Sequence, residues 1–409
     1  MSQRLLSYSL LSLILFCLPL SLHGKKLDTP LRSVVVVPVA DLVFSPMQKA
    51  RAGVDVKKAY NELPLSRGST SKPALRAHQV LFNELVYIWE EEGPEVRVEL
   101  ANVFFTPHGE KSRHSLFWTL KSNVIPVETL EKRGITTSLL PSPVNYRHPK
   151  SIEAAKNVIV LQLPFQEKES GRVFSVGTRF VSTGYSDNKK SYFVAVLDPS
   201  AEKMMTMAIP QEQCIVHRHR THEEKIHHFV ALLKSWSNRQ TGYIPYVLGG
   251  KSWTRLEQNR GSIEGKAGVK TGFDCSSIIL AAAQVCEIPY FYMNTTTAAK
   301  YLEPLKKGES IREGDLIIYP GHVLVVSDLR KNRILEARGY SSGFGKVHEL
   351  PISEVFGGIT SYRSLVNAYH TNKSFLRLDE GGGGEKKIHA FTIYKIRSAF
   401  HPHLITKKR

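Results

Sequence analysis

Three residues in the second half of the chain are of the types that nucleophilic acyl chemistry needs. Cys275 follows a glycine turn, Lys270-Thr-Gly-Phe-Asp-Cys-Ser-Ser277, and opens an apolar run that ends at Cys286. Asp274 is a good helix N-cap, so Cys275 falls in the first turn, where unpaired N–H groups and the positive end of the helix dipole favour a thiolate. The commoner fate of a lone cysteine is that of a small buried apolar residue, and Cys286 is read that way. A cysteine nucleophile needs a base. His322 follows Pro320-Gly321 between the apolar runs Leu316-Ile-Ile-Tyr319 and Val323-Leu-Val-Val326, a pattern that predicts two strands with the histidine at the start of the second, on a sheet edge. A polar loop then leads to a third short strand, Ile334-Leu-Glu-Ala337. Alternation puts Ile334 and Glu336 on one face, which lets Glu336 meet His322 across the ladder and orient its ring, the third role of a Cys-His-polar triad.

The segments that must position these residues carry a resemblance. Pro245-Tyr-Val-Leu-Gly-Gly250, Phe273-Asp-Cys-Ser276, Gly314-Asp-Leu-Ile317 and Gly321-His-Val323, in that order, resemble the NlpC-type (NlpC/p60 superfamily) cell-wall cysteine peptidases of bacteria. The resemblance implies a papain-like α+β core in which a helix with the cysteine packs on a small antiparallel sheet with the histidine. It also implies hydrolysis of the γ-D-glutamyl to diamino-acid bond of peptidoglycan stem peptides, with no cofactor. By position, Cys275 resembles the nucleophile, His322 the general base and Glu336 the third polar residue, where the family usually has histidine. Asp274 and Ser276 match residues that bind a free substrate amine in some subfamilies, and Tyr246 matches the tyrosine near the scissile carbonyl.

Ahead of this core, residues 25 to 135 have an all-β texture. Val34 to Val39, His78 to Phe82, Glu84 to Trp89 and Val96 to Leu100 read as short strands between Pro, Gly and charged turns. Val37-Pro-Val-Ala-Asp-Leu42, Gln79-Val-Leu-Phe-Asn-Glu84 and Trp118 resemble a bacterial Src-homology-3-like domain, the usual companion of this peptidase. That resemblance implies that Glu84 reaches the neighbouring active site and helps hold the substrate amine. A solvated turn residue is an equal reading, and Asn83 stands where the companion has glycine. Residues 136 to 220, with strand candidates at Ile159 to Leu163, Val176 to Val181, Tyr192 to Leu197 and Met204 to Ile209, resemble a second Src-homology-3-like or β-rich unit. The fold class expected is therefore multidomain: N-terminal all-β Src-homology-3-like barrels, then an α+β papain-like domain over 221 to 400 and a basic tail over 401 to 409.

The first 24 residues, with Arg4 ahead of an apolar stretch from Leu5 to Phe16, resemble a secretory signal peptide. A membrane anchor is the competing reading, the stretch being near the ~18-residue lower bound for a span. Either one places the body of the protein in the periplasm or cell envelope. Without Cys17 of the leader, Cys214, Cys275 and Cys286 remain, an odd number that does not suggest a disulfide framework. The histidines at 217, 219, 222, 227 and 228 lie near Cys214, a zinc-like density. A helix explains them better: Thr221 and Glu224 make a capping box, and Ile226, Phe229, Val230, Leu233 and Trp236 an apolar stripe. No metal is expected.

Among the 409 residues, 55 Lys and Arg against 37 Asp and Glu give a net charge of +18, which calls for an anionic setting. A leader and the lack of any nucleic-acid module argue against nucleic acid. Peptidoglycan and anionic membrane or wall surfaces are the remaining partners. Two rival functions stay open at this point: a non-catalytic peptidoglycan-binding protein, and a papain-like cysteine amidase or acyltransferase on another cell-surface amide.

Overall fold

The structure is a computed structural model. It describes residues 24 to 401 apart from 51–52, 54, 67–75, 101–102, 108–114, 156, 218, 264–267 and 383–384. Residues 1 to 23 of the expected signal peptide and 402 to 409 of the expected basic tail lie outside the described residues.

Valine-rich alternation yields a seven-stranded antiparallel sheet in the first unit. In spatial order its strands are Arg76–Leu81, Val39–Val43, Leu116–Leu120, Glu95–Glu99, Leu85–Glu92, Lys25–Val35 and Val124–Pro126. The expected strand from Val34 to Val39 is two strands. The first, Lys25–Val35, breaks at Val36-Val37-Pro38, where proline has no N–H for a ladder, and the second starts at Val39. Asn83, in the glycine position of the turn before Glu84, has φ +66°, a left-handed conformation that asparagine tolerates better than most residues.

The second unit is a five-stranded antiparallel sheet ordered Met204–Pro210, Ser191–Leu197, Arg179–Ser186, Val158–Leu161, Cys214–Val216. The second strand candidate of this unit spans Val176 to Val181, but the strand starts at Arg179. Gly177 turns with φ +82°, and the Val176 N–H crosses to the Trp253 carbonyl at 3.3 Å instead.

The third unit is a six-stranded antiparallel sheet with helices packed on both faces. The strand order is Glu303–Pro304, Thr392–Lys395, Leu316–Tyr319, His322–Asp328, Arg333–Arg338, Lys346–Pro351. His222–Ser237 and Cys275–Val285 cover one face, and Ile352–Val355 and Tyr362–His370 pack with Leu324, Val326 and Ile334 on the other. The first begins with the expected Thr221–Glu224 capping box and buries Phe229, Val230, Leu232, Leu233 and Trp236. The second buries ten of its eleven residues, which is why it is rich in alanine and isoleucine rather than amphipathic. Beyond the main sheet, Phe356–Gly357, Phe375–Leu378 and Glu385–Ile388 form a three-stranded satellite sheet. Gly381 and Gly382 lie in the hairpin that joins its last two strands.

The units share one core. Val35, Ala40, Val80 and Val98 of the first sheet belong to the same apolar cluster as Ile278, Ile279 and Ala282 of the cysteine helix and Val323, Val325 and Leu335 of the third sheet. Backbone bonds cross as well. Phe104 N–H donates to the Phe291 carbonyl at 2.8 Å, Met293 N–H to the Phe104 carbonyl at 2.9 Å, and Thr106 N–H to Thr297 Oγ1 at 3.0 Å.

Candidate active site

Asp274 starts the cysteine helix as an N-cap. Its Oδ1 accepts from the N–H of Ser276 at 2.9 Å and of Ser277 at 2.7 Å, and Ser277 Oγ accepts from the Asp274 N–H at 2.8 Å, closing a capping box. Cys275 is therefore the first helical residue, 8% exposed. The loop that reaches Asp274 from the other side depends on Gly249. It has φ +71°, and a Cβ there would sit 2.7 Å from the Arg76 carbonyl oxygen. Gly249 donates its N–H to Asp274 Oδ2 at 3.0 Å, so both carboxylate oxygens are engaged.

Ser276 Oγ donates to Asp274 Oδ1 at 2.9 Å and to the Met293 carbonyl at 3.0 Å. Asp274 and Ser276 thus flank the cysteine, but their polar atoms serve the helix start and the segment behind it. Tyr246 lies beside the same turn. It forms a parallel bridge with Phe273, donates its N–H to the Gly345 carbonyl at 2.9 Å, and rests its ring against Gly339.

His322 is delivered by a two-residue turn. Tyr319 and His322 are directly paired, and Gly321 at φ +84° gives Pro320-Gly321 the shape of a type II turn. The strand that His322 opens packs against the cysteine helix, and the Val323 N–H interacts with the Cys275 sulfur. His322 Nε2 lies 2.5 Å from Glu336 Oε2. That pairing leaves Nδ1 as the ring nitrogen that Glu336 does not engage. Glu336, expected on the face shared with Ile334, is there and is 1% exposed.

Two residues that sequence reasoning passed over complete this cluster. His348, directly opposite Glu336 in the sheet, places Nε2 3.0 Å from Glu336 Oε1, and Arg377 Nη2 donates to the same oxygen. Arg377 belongs to the satellite strand Phe375–Leu378, where alternation puts it on the buried face with Phe375. A charged residue on the apolar face of a short strand was the available signal.

The electrostatics follow from enclosure. Burial would raise the Glu336 carboxyl, but Arg377 and the two imidazoles outweigh it and hold the group well below the usual carboxylate range. Burial lowers His322 from its ordinary value, with Glu336 opposing. Burial and the nearby Asp274 raise the Cys275 thiol, opposed by the N–H groups of Val323 and Ser276. For Cys275 and His322 alike, burial acts against the charged form; Glu336 opposes that at the imidazole and adds to it at the thiol.

Glu84 Oε1 is 3.0 Å from Lys251 Nζ, and Glu84 lines a cavity at the meeting of the three units with His78, Asn83, Tyr146, Arg179 and Lys251. Gln284, at the far end of the cysteine helix, also lines it. Cys214, Cys275 and Cys286 are all free thiols. His217 pairs with Glu287 at 2.5 Å, and no metal-binding group of His, Cys, Asp and Glu occurs among the described residues.

No protein-family model and no curated relative matches the sequence. Solved structures do. An NlpC/P60 family protein from Bacillus cereus aligns over 78% of this chain and 94% of its own, at 12% identity and a TM-score of 0.50. An NlpC/P60 endopeptidase from Photobacterium damselae aligns over 90% of this chain and 73% of its own, at 9% identity and a TM-score of 0.41. The peptidoglycan hydrolase RipB from Mycobacterium tuberculosis aligns over 34% of this chain and 67% of its own, at 25% identity and a TM-score of 0.23. On the first of these, the chain has the fold of an NlpC/P60 family protein.

Proposed function

We propose that the chain is a cysteine peptidase of the cell envelope that cleaves the γ-D-glutamyl to diamino-acid bond of peptidoglycan stem peptides. The observation that carries this reading is the juxtaposition at the start of one helix. Cys275 lies against the Val323 N–H, one residue from His322, whose other ring nitrogen is held by the buried Glu336. The NlpC/P60 fold and the four sequence motifs support the same reaction class. We read the N-terminal sheets as Src-homology-3-like companions, and residues 1 to 24 as the export signal that takes the protein to its substrate.

In the mechanism, His322 Nδ1 takes the Cys275 proton as the sulfur attacks the γ-glutamyl carbonyl carbon. The oxyanion forms beside N–H groups at the helix start, with Tyr246 at the rim. His322 returns the proton to the leaving amine, which departs with its electron pair. It then activates a water molecule to hydrolyse the thioester. The net charge of +18 concentrates an anionic wall around the enzyme.

Selectivity for a free substrate amine is the finer part of the proposal, since Asp274 and Ser276 already have partners and Glu84 faces Lys251. The test is to incubate the chain with L-Ala-γ-D-Glu-diaminopimelate and its N-acetylated form and to identify products by mass spectrometry. Cleavage of the free peptide alone supports the peptidase and the amine pocket. Cleavage of both supports the peptidase without the pocket. With neither cleaved and Cys275 unreactive towards iodoacetamide, the protein is a wall-binding module instead.

A further inference from the structure

Glu336 meets three nitrogens, each supplied by a different strand: His322 Nε2, His348 Nε2 and Arg377 Nη2. A carboxylate can accept all three, whereas a carboxylic acid would have to donate to one. Arg377 is itself immobilised. It is 1% exposed, its Nη1 donates to the Val355 carbonyl at 2.7 Å, and its Nε donates to the Tyr319 hydroxyl at 3.2 Å. Tyr319 in turn pairs with His322 across the turn, so the ring of contacts closes on the histidine. His348 Nδ1 is buried without a hydrogen-bond partner among the described residues, and the ring lies against that of Phe344.

An anionic acceptor decides which nitrogen of a neutral histidine carries the hydrogen. We infer that Arg377 is a positioning residue: by keeping Glu336 anionic it holds His322 as the Nε2–H tautomer, which leaves the Nδ1 lone pair for the Cys275 thiol. The inference rests on the cysteine-peptidase reading. Its consequence is that the satellite sheet, outside the helix-and-sheet core, governs the base. Without Arg377 the enclosed carboxyl takes one proton from solvent and donates it to His322 Nε2. The imidazole hydrogen then moves from Nε2 to Nδ1, and an Nδ1–H cannot accept the thiol proton.

The experiment uses the full chain with 15N-labelled histidine. Two-bond nitrogen–proton correlation spectra read the tautomer, and peptide-level mass spectrometry reads the iodoacetamide alkylation rate of Cys275 against pH. The wild type should show His322 as Nε2–H. Arg377→Met should show it as Nδ1–H and alkylate at least ~100-fold more slowly at neutral pH, within the loss that follows a tautomer error in a serine triad. Arg377→Lys should restore the tautomer and most of the rate, which a merely structural role for the guanidinium would not require. If Arg377→Met does not fold, Arg377→Gln, which keeps N–H donors without the charge, must show the same change. An unchanged tautomer and rate in the folded variant would overturn the inference and leave the peptidase reading standing. A wild-type Cys275 no more reactive than Cys214 and Cys286 would overturn both.

Discussion

Arg76–Asp41 and Arg377–Glu336 are both buried arginine–carboxylate pairs, with different surroundings. Arg76 and Asp41 are joined at 2.7 and 3.3 Å with both side chains 1% exposed. Arg377 and Glu336 are equally enclosed. Around Asp41 the remaining partners do not titrate near neutrality. Gln79 donates to Asp41 Oδ1 at 2.8 Å and to the Lys270 carbonyl at 2.8 Å, and Arg76 donates to the carbonyls of Pro64 and Leu248. That pair stitches the first sheet to the loop ahead of Asp274. Around Glu336 the partners are two imidazoles, one of them next in sequence to Val323, whose N–H meets the Cys275 sulfur. The ion pair is the same device in both places. What it does is decided by whether its neighbours can exchange protons, so burial and pairing alone do not mark a site.

The comparison gives an ordered set of expectations. Replacing Cys275 by alanine should abolish turnover of the tripeptide while circular dichroism and thermal midpoint stay at wild-type values. Residual cleavage would place the chemistry elsewhere. Glu336→Gln and Asp41→Asn should then separate the two pairs. The first should lower kcat by roughly 100-fold or more. The second should leave kcat per folded molecule unchanged and cost about 3–5 kcal/mol of stability, because it strands a buried guanidinium. Equal kcat losses in urea-calibrated preparations would erase the distinction.

The pH dependence is a smaller effect. Burial lowers His322, so its neutral, proton-accepting form persists below the ordinary histidine value of about 6.5. The acid limb of kcat/KM should therefore have its midpoint below 6.5, and activity should fall as pH drops through it. A midpoint above 6.5 would mean that Glu336 outweighs burial. The smallest effect should come from a cap with no buried charge. Thr221→Ala at the exposed start of the first helix should cost about 1 kcal/mol in denaturant unfolding and nothing in kcat.

Local signals made much of this site legible in the sequence. The Pro320-Gly321 turn fixes His322 at a strand start, alternation fixes the face of Glu336, and Asp274 and Thr221 announce their helices three residues ahead of their box partners. What stayed hidden is what depends on distant chain segments. Arg377 reaches Glu336 from a hairpin 41 residues away in sequence, and nothing in Phe375-Leu-Arg-Leu378 names its partner. The effect of burial on Cys275 and His322 was hidden for the same reason, since it depends on how much of the molecule closes over them, which no motif states. Glu84 was recognisable as a turn residue, yet its partner Lys251 lies 167 residues on.

The bonds from Phe104 and Thr106 to the third unit carry a cost during folding. Thr106 and Thr297 are 191 residues apart, so this contact closes late and slowly. Until it does, the chain at Phe104 and at Phe291 to Met293 presents backbone N–H and C=O groups that will later pair with each other. Groups of that kind pair as readily with a second copy of the chain. Refolding at high protein concentration should therefore yield dimers that exchange these segments between molecules, and refolding at high dilution should yield monomers.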